Sequence, residues 1–136
     1  MRSIIFRAKT IGLDDRRWVT GDLHLHSNAP HIHSGPFKHP IDVSTVGEFT
    51  GLKDKNGKEI YEGDIICIHD NDYDDDSNSE VKFRNGVFGV ENWTKKSLTT
   101  LNFFMLDSNS YEPEYSVEVV GNIHDNPELI RKELKK

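Results

Sequence analysis

Val81-Lys82-Phe83-Arg84-Asn85-Gly86-Val87-Phe88-Gly89-Val90 decides the fold class of this chain. An Asn-Gly pair between two short runs of β-branched and aromatic residues is the signature of a hairpin with a two-residue primed turn. Counting outward from that turn pairs Arg84 with Val87, Phe83 with Phe88 and Val81 with Val90. The last two pairs share a face, so this register predicts that they are buried together.

Working outward, a second Asn-Gly, Asn56-Gly57, turns the chain before Glu59-Ile60-Tyr61. Gly63-Asp64 makes a corner before Ile65-Ile66-Cys67-Ile68, which is apolar enough for a central strand. Downstream, Leu101-Asn102-Phe103-Phe104-Met105-Leu106 suits a strand, and Tyr115, Val117 and Val119 alternate with polar neighbours as in a half-buried strand. Asp107–Glu114, with Pro113, reads as a loop. Short strands at this spacing predict a mainly β fold, a small antiparallel barrel over residues 46–136. Asn126, Pro127 and Glu128 can cap and open a short C-terminal helix of about ten residues, too short to be stable by itself. Residues 1–45 differ in composition and form a separate N-terminal β-hairpin unit, with strand material at Ile4-Ile5-Phe6 and Trp18-Val19. Its exit near 34–42, punctuated by Gly35, Pro36 and Pro40, reads as a loop or linker.

Composition bounds the function classes. The 136 residues are 35% apolar and 29% charged, with a mean hydropathy of −0.65. No window approaches the roughly 20 apolar residues of a membrane span. The N-terminus lacks the apolar core of a signal peptide. The single cysteine, Cys67, excludes an internal disulfide and reads as a buried, inert thiol. A cytoplasmic protein is expected. The net charge is −6, and Asp70, Asp72, Asp74, Asp75, Asp76 and Glu80 supply as many negative charges within one run. No basic stripe is present, which argues against nucleic acid as a partner.

Four histidines fall in Gly21-Asp22-Leu23-His24-Leu25-His26-Ser27-Asn28-Ala29-Pro30-His31-Ile32-His33-Ser34-Gly35. In a strand, Asp22, His24 and His26 face one side and Leu23 and Leu25 the other. A four-residue turn at Ser27–Pro30 sets His26 opposite His31, His24 opposite His33 and Leu25 opposite Ile32. All four imidazoles then share one surface, which suits zinc, nickel or copper and can also respond to pH between about 5 and 7. Asp22–Ser27 resembles the first metal-binding strand of the PHP phosphoesterases. That family needs further His and Asp ligands around a large barrel, and this chain is too short to supply them. Catalytic metal is therefore not expected.

The other constellations are weaker. The acidic run fits no EF-type register: starting at Asp70 puts Asp75 where glycine belongs and Val81 where glutamate belongs. It is expected to be a solvated hairpin loop. No P-loop, nucleophile elbow or dinucleotide fingerprint occurs. Trp93, Tyr111 and Tyr115 could line an aromatic groove for an extended peptide.

Thr45-Val46-Gly47-Glu48-Phe49-Thr50-Gly51-Leu52-Lys53-Asp54-Lys55-Asn56-Gly57-Lys58-Glu59-Ile60-Tyr61-Glu62-Gly63-Asp64-Ile65 closely resembles the signature of the YopX family of phage and prophage proteins. Ile5-Phe6-Arg7-Ala8 and Trp18-Val19 with Gly21 and Leu23 resemble its opening, and Val120-Gly121-Asn122-Ile123-His124-Asp125-Asn126-Pro127-Glu128-Leu129 its close. The resemblance implies an SH3-like small barrel preceded by a small β unit, and self-association. It implies no enzymatic activity, catalytic residue or cofactor. Within the signature, Gly51, Gly57 and Gly63 suit corners, Asn56 a primed turn, and Ile60 and Tyr61 the core, while Asp64 is placed to bond backbone amides. The expectation is a non-catalytic phage or prophage accessory protein acting through protein contacts or self-assembly, as a homo-oligomer or with a protein partner. The alternatives are metal binding through His24, His26, His31 and His33, or a weak nucleic-acid-binding module.

Overall fold

The computed structural model describes residues 4–12, 16–26, 29–91, 98–105 and 113–131, with the side chains of His26 and Arg131 left out. The chain divides into two compact units, Met1–Gly51 and Leu52–Lys136. Both are mainly β and antiparallel, as the turn pattern predicts.

The first unit contains β1 (Phe6–Lys9), β2 (Trp18–His26), β3 (Ala29–Ser34), β4 (Phe37–Pro40), a 3-10 turn at Val43–Thr45, and the start of β5 (Gly47–Lys53). The strand order is β4-β3-β2-β1-β5. β2 serves two partners in succession: Trp18–Gly21 pairs with β1, and Asp22–His26 pairs with β3. Gly21 sits at the change, with φ at 152°. A Cβ there would lie 2.1 Å from the His33 carbonyl oxygen, so only glycine lets the two strands close. One face of the sheet forms a small core of Ala8, Ile32 and Ile41, packed by Phe6, Val19, Leu23 and Val46. Residues 34–42, expected as a loop or linker, are a tight turn followed by an edge strand. Gly35, with φ at 61°, turns the chain and β4 pairs back on β3, from His31–Pro40 to Ser34–Phe37. Pro36 lies in the turn and Pro40 ends an edge strand, positions where a missing N–H is tolerated.

The second unit contains β6 (Glu59–Tyr61), β7 (Asp64–Asp70), β8 (Asp75–Glu80), β9 (Lys82–Arg84), β10 (Val87–Glu91), β11 (Leu98–Thr100), α1 (Leu101–Met105), β12 (Tyr115–Asn122) and α2 (Glu128–Arg131). Two three-stranded sheets have orders β12-β7-β8 and β11-β10-β9. The apolar run from Ile65 to Ile68 lies in the central strand β7. The core is Ile60, Ile66, Ile68, Val81, Val90, Leu101, Val117 and Val119.

The opening hairpin forms with Phe83 opposite Phe88, their rings 4.7 Å apart, and with positive φ at Asn85 and Gly86. Its burial is uneven. Val81 and Val90 are core residues, but Phe83 near the turn is 45% exposed. Val81 also leaves the ladder: its N–H donates to the Asp64 carbonyl and its carbonyl accepts from Gly63 N–H.

Several expectations change. Leu101–Met105 is a helix, not a strand. Leu101, Phe104 and Met105 recur at helical spacing and all pack on the core, while Phe103 is half exposed. The acidic run is mostly strand: Asp70 pairs with Asp75, and the turn shrinks to the residues between them. The Asn56-Gly57 turn is not primed. Gly57 alone carries positive φ, and the loop closes through Asp54 N–H to the Lys58 carbonyl. The C-terminal helix is described only over Glu128–Arg131, and the Asn126 side chain accepts from Asn122 N–H instead of capping it. Leu106, Tyr111, Trp93 and most of the Asp107–Glu114 loop lie outside the described residues.

Candidate functional site

The histidines were the sharpest chemical signal, and the structure brings three of the described rings together. β2 and β3 pair as Asp22–His33, Leu23–Ile32, His24–His31, Leu25–Pro30 and His26–Ala29. The register therefore differs from the expected one: the connection is Ser27-Asn28, not a four-residue turn, and His24 faces His31, not His33. The difference is two residues, an even number, so the faces are preserved. Asp22, His24, His31 and His33 share one surface, joined by Lys38 opposite His33 on β4. His24 stacks on His33 diagonally, with ring centroids 3.8 Å apart and 20° between planes. His31 meets His33 edge-on at 6.2 Å. On the same side, Arg7 and Lys9 lie over the Trp18 ring at 4.7 and 5.7 Å.

Electrostatics follow from this crowding. Partial burial, with His24, Lys38 and His31 close by, holds the His33 imidazole below its ordinary value, against the opposing pull of Asp22. Stacked rings present their faces to one another, not their ring nitrogens to a common point. Among the described residues, no group of three or more His, Cys, Asp or Glu side chains is placed to hold a metal ion. His39, which sequence reasoning passed over, lies on the opposite face across from Ile32 and stacks on Phe37 at 6.3 Å. Lys38 and His39 could have been placed by period-two alternation, had residues 37–40 been recognised as a strand.

The acidic hairpin of β7 and β8 is the second candidate. Asp70 accepts from the backbone N–H groups of Asp72 and Tyr73 through Oδ1 at 2.9 and 3.2 Å, which shapes the turn. His69 pairs with Asp76 through Nδ1 and with Asp74 through Nε2. Tyr73 stands at the tip, 82% exposed. Cys67 is half-buried on β7, and burial with the nearby Asp76 and Glu118 pushes its thiol up, away from nucleophilic use. Tyr115 packs against Phe103 and Phe104.

The signature block is built around two buried carboxylates. Asp64, 1% exposed, accepts from Tyr61 N–H at 2.7 Å. Asp54, 7% exposed, accepts from Asn56 and Lys58 N–H on one oxygen and from Val119 N–H on the other, each at 2.9 Å. Only Asp64 was legible in advance. Asp54 carries the longer-range link, tying its own turn to β12.

The family model described as YopX protein matches residues 10–131. The chain belongs to the YopX family. Among solved structures it is similar to protein yopX from Bacillus subtilis, with 22% identity, a TM-score of 0.58, and coverage of 96% of this chain and 100% of that one. It is also similar to protein EF1440 from Enterococcus faecalis, with 24% identity, a TM-score of 0.50, and the same two coverages. At these identities the likeness concerns the YopX fold alone. A comparison with curated proteins found no match.

Proposed function

We propose that this YopX-family chain is a non-catalytic accessory protein of a phage or prophage, acting in the host cytoplasm by protein contacts or self-assembly. One observation carries the reading. On the core-facing side of the first unit's sheet, Ile32 is fully buried, yet Leu25 and Phe37 on the adjacent strands are each 64% exposed. Pairing of β2 with β1 stops at Gly21, and β4 is an edge strand. Exposed apolar side chains beside a sheet edge are what a protein partner covers.

Sedimentation velocity from low to high micromolar concentration tests this. Oligomers that weaken when Leu25→Ser and Phe37→Ser are combined support it. A monomer throughout, with no partner retained from a host lysate, overturns it.

A further inference from the structure

The two units carry charge of opposite sign. Met1–Gly51 has six Lys or Arg, five Asp or Glu, and five of the seven histidines. Leu52–Lys136 has eleven Lys or Arg against eighteen Asp or Glu, a net charge of −7. Within the first unit, the described ionisable groups that share the face of the His24–His33 stack on β2–β4 are basic except Asp22: His24, His31 and His33 from β2 and β3, and Lys38 from β4. Within the second, the β7–β8 hairpin exposes Asp72, Asp74, Asp75 and Asp76 around Tyr73.

We infer that the histidine face of β2–β4 is a pH-gated docking surface for the acidic β7–β8 hairpin of a second copy of this chain. The inference rests on the self-assembly reading and adds a second, pH-dependent contact on the face of the sheet opposite Leu25 and Phe37. Charge complementarity selects the occupant. A projecting tyrosine ringed by carboxylates fits a surface of stacked imidazoles, with ring contact at the centre and charge pairs at the rim. The contact joins two different surfaces, so it is head-to-tail and can propagate.

The gating has a definite sign. Asp22 offsets Lys38, so without imidazolium charge the attraction is weak. Imidazoles gain protons between about pH 7 and 5, whereas aspartates stay ionised down to about pH 4. Attraction is therefore strongest between those limits. Within one copy, the added charges repel each other across the stack, and a docked acidic hairpin relieves that repulsion. His69 already engages Asp74 and Asp76, which leaves Asp72 and Asp75 as the carboxylates to test.

The experiment is sedimentation velocity of the full chain at pH 7.5 and 5.5, in low and in 0.5 M salt. We expect association roughly tenfold tighter at pH 5.5, weakened by salt. Two variants are compared: His24→Gln with His33→Gln on one surface, and Asp72→Asn with Asp75→Asn on the other. Lys38→Glu, at an exposed position, replaces the first should the glutamines unfold it. Each variant alone should lose the tightening at pH 5.5. Mixing a face variant with the hairpin variant restores one intact contact and should yield a 1:1 complex. Association that ignores pH and both sets of changes overturns this inference and leaves self-assembly standing. Absence of the mixed complex, when each variant alone has lost that tightening, also overturns it. A monomer under every condition removes both.

Discussion

At the scale of single residues, the family signature is explained by carboxylates that bond backbone. Burial would raise the Asp54 carboxyl, but N–H donors from Val119, Lys58 and Asn56, with the Lys58 charge, outweigh it and hold Asp54 below its ordinary value of 3.8. The sign follows. The stability this group supplies is complete above that value and is lost as pH falls through the lower native one. Asp54→Asn must set an amide N–H against a backbone donor whichever way it is turned. We expect it to lose about 2–3 kcal/mol in urea unfolding at pH 7. The loss should shrink as both proteins approach pH 3, and a loss under about 0.5 kcal/mol would contradict the assigned role. The Asp64 bond to a nearby amide was readable from local turn chemistry. The Asp54 bond to Val119 spans 65 positions, and no local pattern encodes it.

At the scale of elements, turns were legible and apolar runs were less so. Asn85-Gly86 fixed a hairpin and its register, because positive φ at two successive residues has few other solutions. Leu101–Met105 failed for the opposite reason: a short apolar run has no decisive period, and packing settled it as helix. Leu101 is 1% exposed while Phe103 is 52% exposed. Leu101→Ala should therefore destabilise by about 2–4 kcal/mol, against about 1 kcal/mol or less for Phe103→Ala. Equal losses in thermal unfolding would contradict the helical assignment. The Asp70–Glu80 run is expected to be a solvated hairpin loop from its charge, yet most of it is strand. That strand lies at a sheet edge, where charge discourages further pairing. The imidazole surface was legible as a face but not as a set of contacts, since contacts depend on register and register on the length of the connection.

At the scale of the molecule, each unit has its own core, Ile32 with Ala8 and Ile41 in one and the Ile66 cluster in the other. The charge asymmetry between them makes their pH responses separable. The native His33 value lies below the ordinary imidazole value, so its contribution is full above about pH 6.5 and is lost as pH falls from there. Amides of β3 should lose hydrogen-exchange protection between pH 7.5 and 5.5, after correction for intrinsic rates and at a dilution where chains do not associate. Amides of β7 should keep theirs. Equal loss in both would sever the link between the imidazole stack and the stability of β3. The mainly β class was legible from the spacing of turns. Charge partition was legible only as a local acidic run, because its meaning depends on where the chain divides.

The β2–β3 connection also sets a rule for how this chain tolerates change in length. Leu23 and Ile32 lie in register on the core side, with His24 and His31 on the other. A pair of residues added at the tip would slide the facing partners but keep every side chain on its own side. A single residue added there would turn one strand over, exposing Ile32 and driving histidines into the apolar layer unless a bulge absorbed it. Length variation at this tip is thus constrained by parity more than by size.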